Sequence, residues 1–119
     1  MNKLTLVWLA VAFIPLALAE EPCVTIHGRA HFCSGDGQLR IWNIGTRHEF
    51  EPDDSSEDRV LDWLIAGVKE SERKNYTVPA SVFDLYGDFL TCPTEPLRKG
   101  AVQHAKVKGV THRRYVRIN

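Results

Sequence analysis

Alternating apolar and polar residues predict strands in the first part of the chain. From Cys23 to Phe32 the even positions are apolar or small, and the odd positions from 25 to 31 are polar. This period of two is typical of a half-buried strand. The turn composition of residues 34–37 then predicts that Gln38–Ile44 returns as a hairpin partner, with Leu39 and Ile41 in the core.

The pattern changes to a helix and then back to strands. Arg47–Phe50 is predicted as a third short strand, which Pro52 and an acidic loop end. Ser55 with Asp58 resembles a capping box, and apolar residues recur at helical spacing from Val60 to about Arg73. Val82–Thr91 is predicted as a fourth strand, and Val102–Val110 with Tyr115–Ile118 as one or two more.

This order of elements predicts a mainly β, β-rich α+β fold. Three strands, a helix and then further strands match a small five-stranded barrel like the oligonucleotide/oligosaccharide-binding (OB) barrel, whose helix lies between strands 3 and 4. The alternative is an open antiparallel sheet with one helix across it. We favour the barrel.

The first 19 residues have the features of a secretory signal peptide. Lys3 precedes a largely apolar stretch from Leu4 to Leu18, and Ala17-Leu18-Ala19 is a small-x-small cleavage site. An uncleaved membrane anchor is the alternative, although Pro15 interrupts the stretch, which is shorter than the roughly 20 residues that a bilayer requires. Residues 20–119 are then one small secreted or periplasmic domain, without a further membrane span.

The charge of the chain does not identify a partner. The sequence has 15 basic and 15 acidic residues, and loss of Lys3 with the leader leaves a net charge of about −1. An exported, nearly neutral domain lacks the broad basic surface that nucleic-acid binding requires. We therefore expect an unknown small molecule or an envelope protein as the partner, and nucleic acid is disfavoured.

Three cysteines in an exported chain predict one disulfide and one remaining thiol. In the barrel topology, the start of the first strand lies beside the end of the fourth, which brings Cys23 next to Cys92. Both have the parity of the polar face, as a cross-strand disulfide requires. A Cys33–Cys92 pair would need a shifted register. We favour Cys23–Cys92.

The same register predicts a ligand-binding face on the outside of the sheet. If residue 23 faces residue 92, His27 faces Asp88, Arg29 faces Tyr86 and His31 faces Asp84. Trp42 on the second strand then shares this outer face. The predicted ligand-binding residues, suited to planar or anionic ligands, are Arg29, Arg40, Trp42, Tyr86, His27 and Asp88. Alternatively Trp42 is only a covered surface residue, with Arg29 stacked over its indole.

No sequence motif predicts a cofactor, a metal site or a catalytic nucleophile. The five histidines lack the closely spaced pairs typical of zinc ligands, and no nucleophile elbow is present. A non-enzymatic binding or protein-interaction domain of the bacterial envelope is the leading hypothesis. The alternatives are a small periplasmic enzyme that uses His27 or His31 with Asp88 or Asp84 as an acid–base pair, and a structural subunit of an envelope complex.

Five short motifs resemble a pattern in small exported bacterial proteins of unassigned function. They are Gly28-Arg29, Arg40-Ile41-Trp42, Gly45-Thr46, Gly87-Asp88-Phe89 and Cys92-Pro93. The resemblance covers about half of residues 20–119, excludes the segment 52–79, and implies a bacterial exported origin. Asn43 departs from the pattern, which has a more apolar residue there.

Overall fold

A computed structural model describes residues 22–118, so the predicted leader lies outside the described residues. The alternating segments form five strands, and the segment between the third and fourth strands forms helices. The elements are β1 (Val24–Cys33), β2 (Gln38–Asn43), β3 (Glu49–Pro52), α1 (Asp54–Ile65), two 3₁₀ helices (Glu70–Asn75 and Pro79–Ser81), β4 (Phe83–Pro93) and β5 (Gln103–Arg117).

The strands close into a barrel in the order β1-β2-β3-β5-β4. All neighbouring pairs are antiparallel except β3 and β5, which are parallel. The predicted OB-like barrel is confirmed, and the alternative of an open sheet is wrong. α1 lies between strands 3 and 4, as the change of periodicity predicted.

The barrel interior is filled by the inward-facing residues of all five strands. Leu39, Ile41, Leu85 and Phe89 are buried, as predicted, and α1 adds Val60 and Leu64. Gly28 and Gly87 face each other across β1 and β4. A Cβ on Gly28 would lie 3.0 Å from Ile41 Cγ2 and 3.1 Å from Phe89 Cδ2, so the large neighbours occupy the space that a side chain would need.

The β1–β4 register links the two predicted cysteines. Val24 pairs with Thr91, which places residues 23 and 92 as the next neighbours. The Cys23–Cys92 disulfide is present, with a Cα–Cα distance of 4.0 Å, and Cys33 is a free, exposed thiol. The predicted pairing is confirmed. Val24, however, is 43% exposed rather than part of the core, because it lies at the open end of the barrel.

The helix begins earlier and ends sooner than the apolar periodicity predicted. Asp53, rather than Ser55, is the N-cap, and its side chain accepts a hydrogen bond from the Ser56 N–H. α1 ends at Ile65, and Gly67 follows against the Tyr115 ring, where a Cβ would clash. The apolar periodicity continues to Val68, beyond the end of the helix, and Val68 is buried outside it.

The acidic loop predicted after the third strand is almost absent, because β3 and α1 are separated by Asp53 alone. The first part of the acidic stretch 49–58 is β3, in which Phe50 and Pro52 are buried, and its last part is the first turn of α1. Acidic side chains are favourable at a helix N-terminus because they face its positive dipole end. β3 itself starts two residues later than predicted and includes Pro52, which pairs with Ala105.

A single long strand, β5, occupies the place of the one or two strands predicted near the C-terminus. Two register shifts interrupt its pairing with β4, and His112 has a positive φ of 54° near one of them. β-bulges of this kind add residues without ending a strand. The polar segment 111–114 is thus part of the strand.

Candidate ligand-binding face

The outer face of the barrel carries a row of alternating aromatic and arginine side chains. Trp42 on β2 pairs with Arg29 on β1, which pairs with Tyr86 on β4, which pairs with Arg114 on β5. We call these four residues the aromatic–arginine row. Because neighbouring strands lie about 4.8 Å apart, the row crosses four strands over roughly 15 Å.

Each arginine of the row lies over an aromatic ring. The Arg29 guanidinium carbon is 5.2 Å from the Trp42 ring centroid, and that of Arg114 is 4.6 Å from the Tyr86 ring centroid. Both distances are in the cation–π range. Arg29 is thus stacked over the Trp42 indole, as expected if Trp42 were only a covered surface residue, and Trp42 is half-buried. The two π systems nevertheless remain on one continuous surface.

Hydrogen bonds hold the indole of Trp42 in place. Its Nε1 donates to the Thr46 carbonyl at 2.7 Å, and the Thr46 hydroxyl donates to the Asn43 carbonyl at 2.7 Å. The short Gly45-Thr46 loop therefore orients the ring from one side. A ring oriented before binding loses little conformational entropy when a ligand stacks on it.

Arg29 retains unused hydrogen-bonding capacity in this position. Its Nε lies 3.7 Å from Asp84 Oδ2, within ion-pair range but beyond a hydrogen bond, and is buried without a partner among the described residues. Asp84 Oδ1 instead pairs with His31 Nδ1 at 2.6 Å. The predicted contact of His31 with Asp84 is therefore present.

Arg40 lies closer to its partner carboxylate than Arg29 does. Its Nη1 lies 2.8 Å from Glu51 Oε1 and donates to the Leu39 carbonyl at 3.1 Å. Glu51 in turn lies 3.7 Å from the His104 ring. Both arginines of this face therefore lie beside a carboxylate, Arg40 at hydrogen-bond distance and Arg29 at a longer one.

A cavity of about 300 Å³ lies over this part of the face. Volumes of this size are at the lower end of those that bind small molecules. The cavity is lined by Arg29, His31, Cys33, Asp36, Gln38, Arg40, Trp42 and Glu49. The structure thus brings Arg29, Arg40 and Trp42 together, whereas Tyr86 lies beside the cavity in the row and does not line it.

His27 and Asp88 form a second cluster on the next part of the face. His27 Nδ1 lies 3.2 Å from Asp88 Oδ1, as the register predicted, and His112 Nδ1 lies 2.9 Å from Asp88 Oδ2. The hydrogen bond from His27, supported by His112, holds the pKa of the Asp88 carboxyl below its usual range. This cluster is outside the cavity that Arg29 and Trp42 line.

Sequence reasoning missed Arg114 and His112. Their positions depend on the register of β5, which two bulges shift. The only signal in the sequence was the basic run 112–117, which is more often a solvated segment. Here Arg113, Arg114 and Arg117 each lie over an aromatic ring, with distances of 4.6–5.7 Å.

The geometry of the face suits binding. Two histidine–aspartate pairs, His27 with Asp88 and His31 with Asp84, lie on this face. Within residues 22–118, no group of three or more histidine, cysteine or acidic residues is placed to hold a metal ion. No helix in the same range is long and apolar enough to cross a membrane.

Comparisons with protein-family models, with curated proteins and with solved structures found no match to this chain.

Proposed function

We propose that this protein is an exported, disulfide-stabilised, non-enzymatic binding domain of the bacterial envelope, related to the small exported proteins whose motifs it resembles. Its ligand is a planar or anionic small molecule held by Arg29, Arg40 and Trp42, with Tyr86 extending the surface. The observation that carries the proposal is the aromatic–arginine row beside a cavity of about 300 Å³. Stacking and guanidinium hydrogen bonds are the interactions that such ligands use.

Export is supported by two independent features. The leader predicted for residues 1–19 directs secretion. The Cys23–Cys92 disulfide is typical of an oxidising compartment such as the periplasm or the extracellular space, because cytoplasmic reductants keep most thiols reduced.

Fluorescence of Trp42 tests the proposed site directly. Residues 20–119 contain Trp42 and Trp63, so a Trp63→Phe background leaves one indole in that range, located at the site. We expect aromatic carboxylates to change its emission in a saturable manner. Trp42→Ala combined with Arg40→Ala, made in the otherwise native chain and followed by calorimetry, should abolish binding without unfolding the protein.

A matched variant controls for general surface effects. Leu90→Ala combined with Lys108→Ala also removes an exposed apolar group and an exposed cation, but on other strands. This variant should bind like the native chain. Unchanged binding in the Trp42/Arg40 variant, with circular dichroism showing a folded protein, would exclude the proposed face.

A second candidate function is acid–base catalysis, which the 2.6 Å contact between His31 and Asp84 favours. His31 lines the same cavity as Arg29, so a bound substrate would lie near its ring. The discriminating measurement is turnover of any ligand that binds. Loss of turnover with retained binding in His31→Gln would support the enzyme, whereas binding without any turnover supports the binding domain.

A further inference from the structure

We propose that a second site, an apolar groove with a cationic rim at one end of the barrel, binds an amphiphilic anion such as a free medium-chain carboxylate. The groove lies between the loop that joins β2 to β3 and the loop that joins β4 to β5. It is distinct from the aromatic–arginine row, and the proposal does not depend on the function proposed for that row. We call it the Leu97 groove.

The Leu97 groove consists of two adjoining cavities. One, of about 470 Å³, is lined by Arg47, His48 and residues 97–101. The other, of about 240 Å³, continues past His48 and Leu97, which line both. Its further walls are Pro22, Val24, Ile26, Asn43, Phe50, Pro93 and Gln103. An acyl chain could therefore extend from the first cavity into the second.

Apolar groups in this groove are unusually exposed. Leu97 is 59% exposed, the most of any large apolar side chain in residues 22–118, and Val24 is 43% exposed. Water contact with such groups is unfavourable, so covering them with the hydrocarbon part of a ligand is favourable. The hydrocarbon chain of a carboxylate fits this lining better than a fully polar ligand would.

The rim of the groove is positively charged. Arg47, Arg98 and Lys99 border the first cavity. Among these cations, only Arg98 has a carboxylate within 4.0 Å in the described part of the chain, and that carboxylate, of Glu95, is also bound by His104. The rim therefore has an excess of positive charge, which complements the head group of an anionic amphiphile.

His48 adds a polar group where the two cavities meet. Its Nε2 is buried and has no hydrogen-bond partner within residues 22–118, while its ring packs on Phe50 with centroids 4.2 Å apart. Buried polar atoms are seldom left unpaired. The His48 ring thus lines both cavities at the point where they meet, next to Arg47.

Hydrogen bonds within the protein fix the loop that carries Leu97, so the loop does not need a ligand to take its shape. The Gln103 amide donates to the Glu95 carbonyl at 2.7 Å, and the His104 N–H donates to the Glu95 carboxylate at 3.0 Å. The Ala101 N–H donates to the Arg98 carbonyl at 3.1 Å and closes a turn. A preformed loop lowers the entropic cost of binding.

Calorimetric titration of residues 20–119 with decanoate, below its micelle concentration, tests the site. 1-Decanol is the matched neutral probe. We expect decanoate to bind with one-to-one stoichiometry and decanol to bind at least about tenfold more weakly. Leu97→Ser should weaken decanoate binding by a similar factor, whereas Leu90→Ser, at an exposed apolar residue on β4, should leave it unchanged.

Charge variants separate the two parts of the proposal. Arg47→Gln combined with Lys99→Gln should reduce decanoate binding to the level of decanol. Equal binding of decanol and decanoate by the native chain would overturn the assignment of an anionic ligand. Binding to anionic phospholipid vesicles without binding to monomeric decanoate would overturn it in favour of a membrane surface. Trp42→Ala should not affect decanoate binding, so the two sites fail or succeed separately.

Discussion

The inner and outer faces of the β1–β4 pair are built from the same two strands but have opposite character. Inside, Ala30 faces Leu85, both are fully buried, and Gly28 meets Gly87 where the packing leaves no room for side chains. Outside, His27 forms an ion pair with Asp88, and Arg29 contacts a carboxylate and an aromatic ring on the neighbouring strands. All three side chains remain partly exposed.

Substitutions on the inner face should therefore affect folding, and substitutions on the outer face should affect binding. Interior packing contributes to stability through burial and van der Waals contact, so any change of volume there is costly. Exposed ion pairs and cation–π contacts contribute little because water and salt screen them. Residues of the outer face can therefore serve ligand binding at small cost to the fold.

Phe89→Ala should cause the largest loss of stability. The ring is fully buried among core residues, and its removal leaves a cavity. We expect urea denaturation to show a loss of about 3–5 kcal/mol in the free energy of unfolding. Leu90→Ala, one residue along the same strand but 39% exposed, should change it by no more than about 0.5 kcal/mol. Similar losses in both variants would contradict the contrast between the two faces.

The disulfide is the exception on the outer face, because it is covalent. Cys23→Ser combined with Cys92→Ser opens a cross-link with a sequence separation of 69 residues. The chain-entropy model predicts a loss of roughly 4 kcal/mol in the free energy of unfolding. Thermal denaturation in the presence and absence of reductant measures the same effect. Cys33→Ser is the control and should unfold like the native chain.

The Asp88 cluster should contribute a smaller, pH-dependent stability. Since the hydrogen bond from His27 lowers the folded-state pKa of Asp88 below 3.8, this contribution is present above that pH and is lost as the pH falls through the folded-state pKa. We expect native protein to be more stable than Asp88→Asn near neutral pH, and the difference to shrink in strong acid. Denaturation of both proteins as a function of pH measures this.

An aspartate on the helix surface controls for the loss of charge alone. Asp58→Asn removes an exposed carboxylate that forms no ion pair within the described residues. The difference in unfolding free energy between Asp58→Asn and the native chain should not shrink in strong acid in the way expected for Asp88→Asn. A constant difference for Asp88→Asn across the acid range would contradict the assigned role of His27.

Local periodicity predicted much of the fold because it reports directly on burial. The alternation along Val24–Cys33 and Gln38–Asn43 placed the hairpin, and the barrel topology together with the parity of Cys23 and Cys92 predicted the disulfide. Element ends were predicted less well. α1 ends at Ile65, although the apolar spacing continues to Val68, and the Gly67 that follows packs against Tyr115, a residue far along the chain.

The candidate face was predicted only as far as the β1–β4 register reached. Arg29 beside Tyr86 and His27 beside Asp88 follow from counting residues from the cysteine pair. The positions of Arg114 and His112 cannot be found by this counting, because two bulges in β5 shift its register by amounts that no local pattern shows. The Leu97 groove joins two loops and the start of β1, so it too depends on how the barrel closes.

Residue order alone predicts the alternation of the strands, the order of elements and the position of Trp42 on the outer face. The disulfide pair follows once the barrel topology favoured by that order is assumed. Three features became visible only in the folded chain: the closed sheet in place of the open alternative, Arg114 at the end of the aromatic–arginine row, and cations of two separate loops around Leu97. The two groups of features differ because they depend on interactions of different range. Burial periodicity acts between neighbours in sequence, whereas barrel closure and bulges depend on contacts between distant segments.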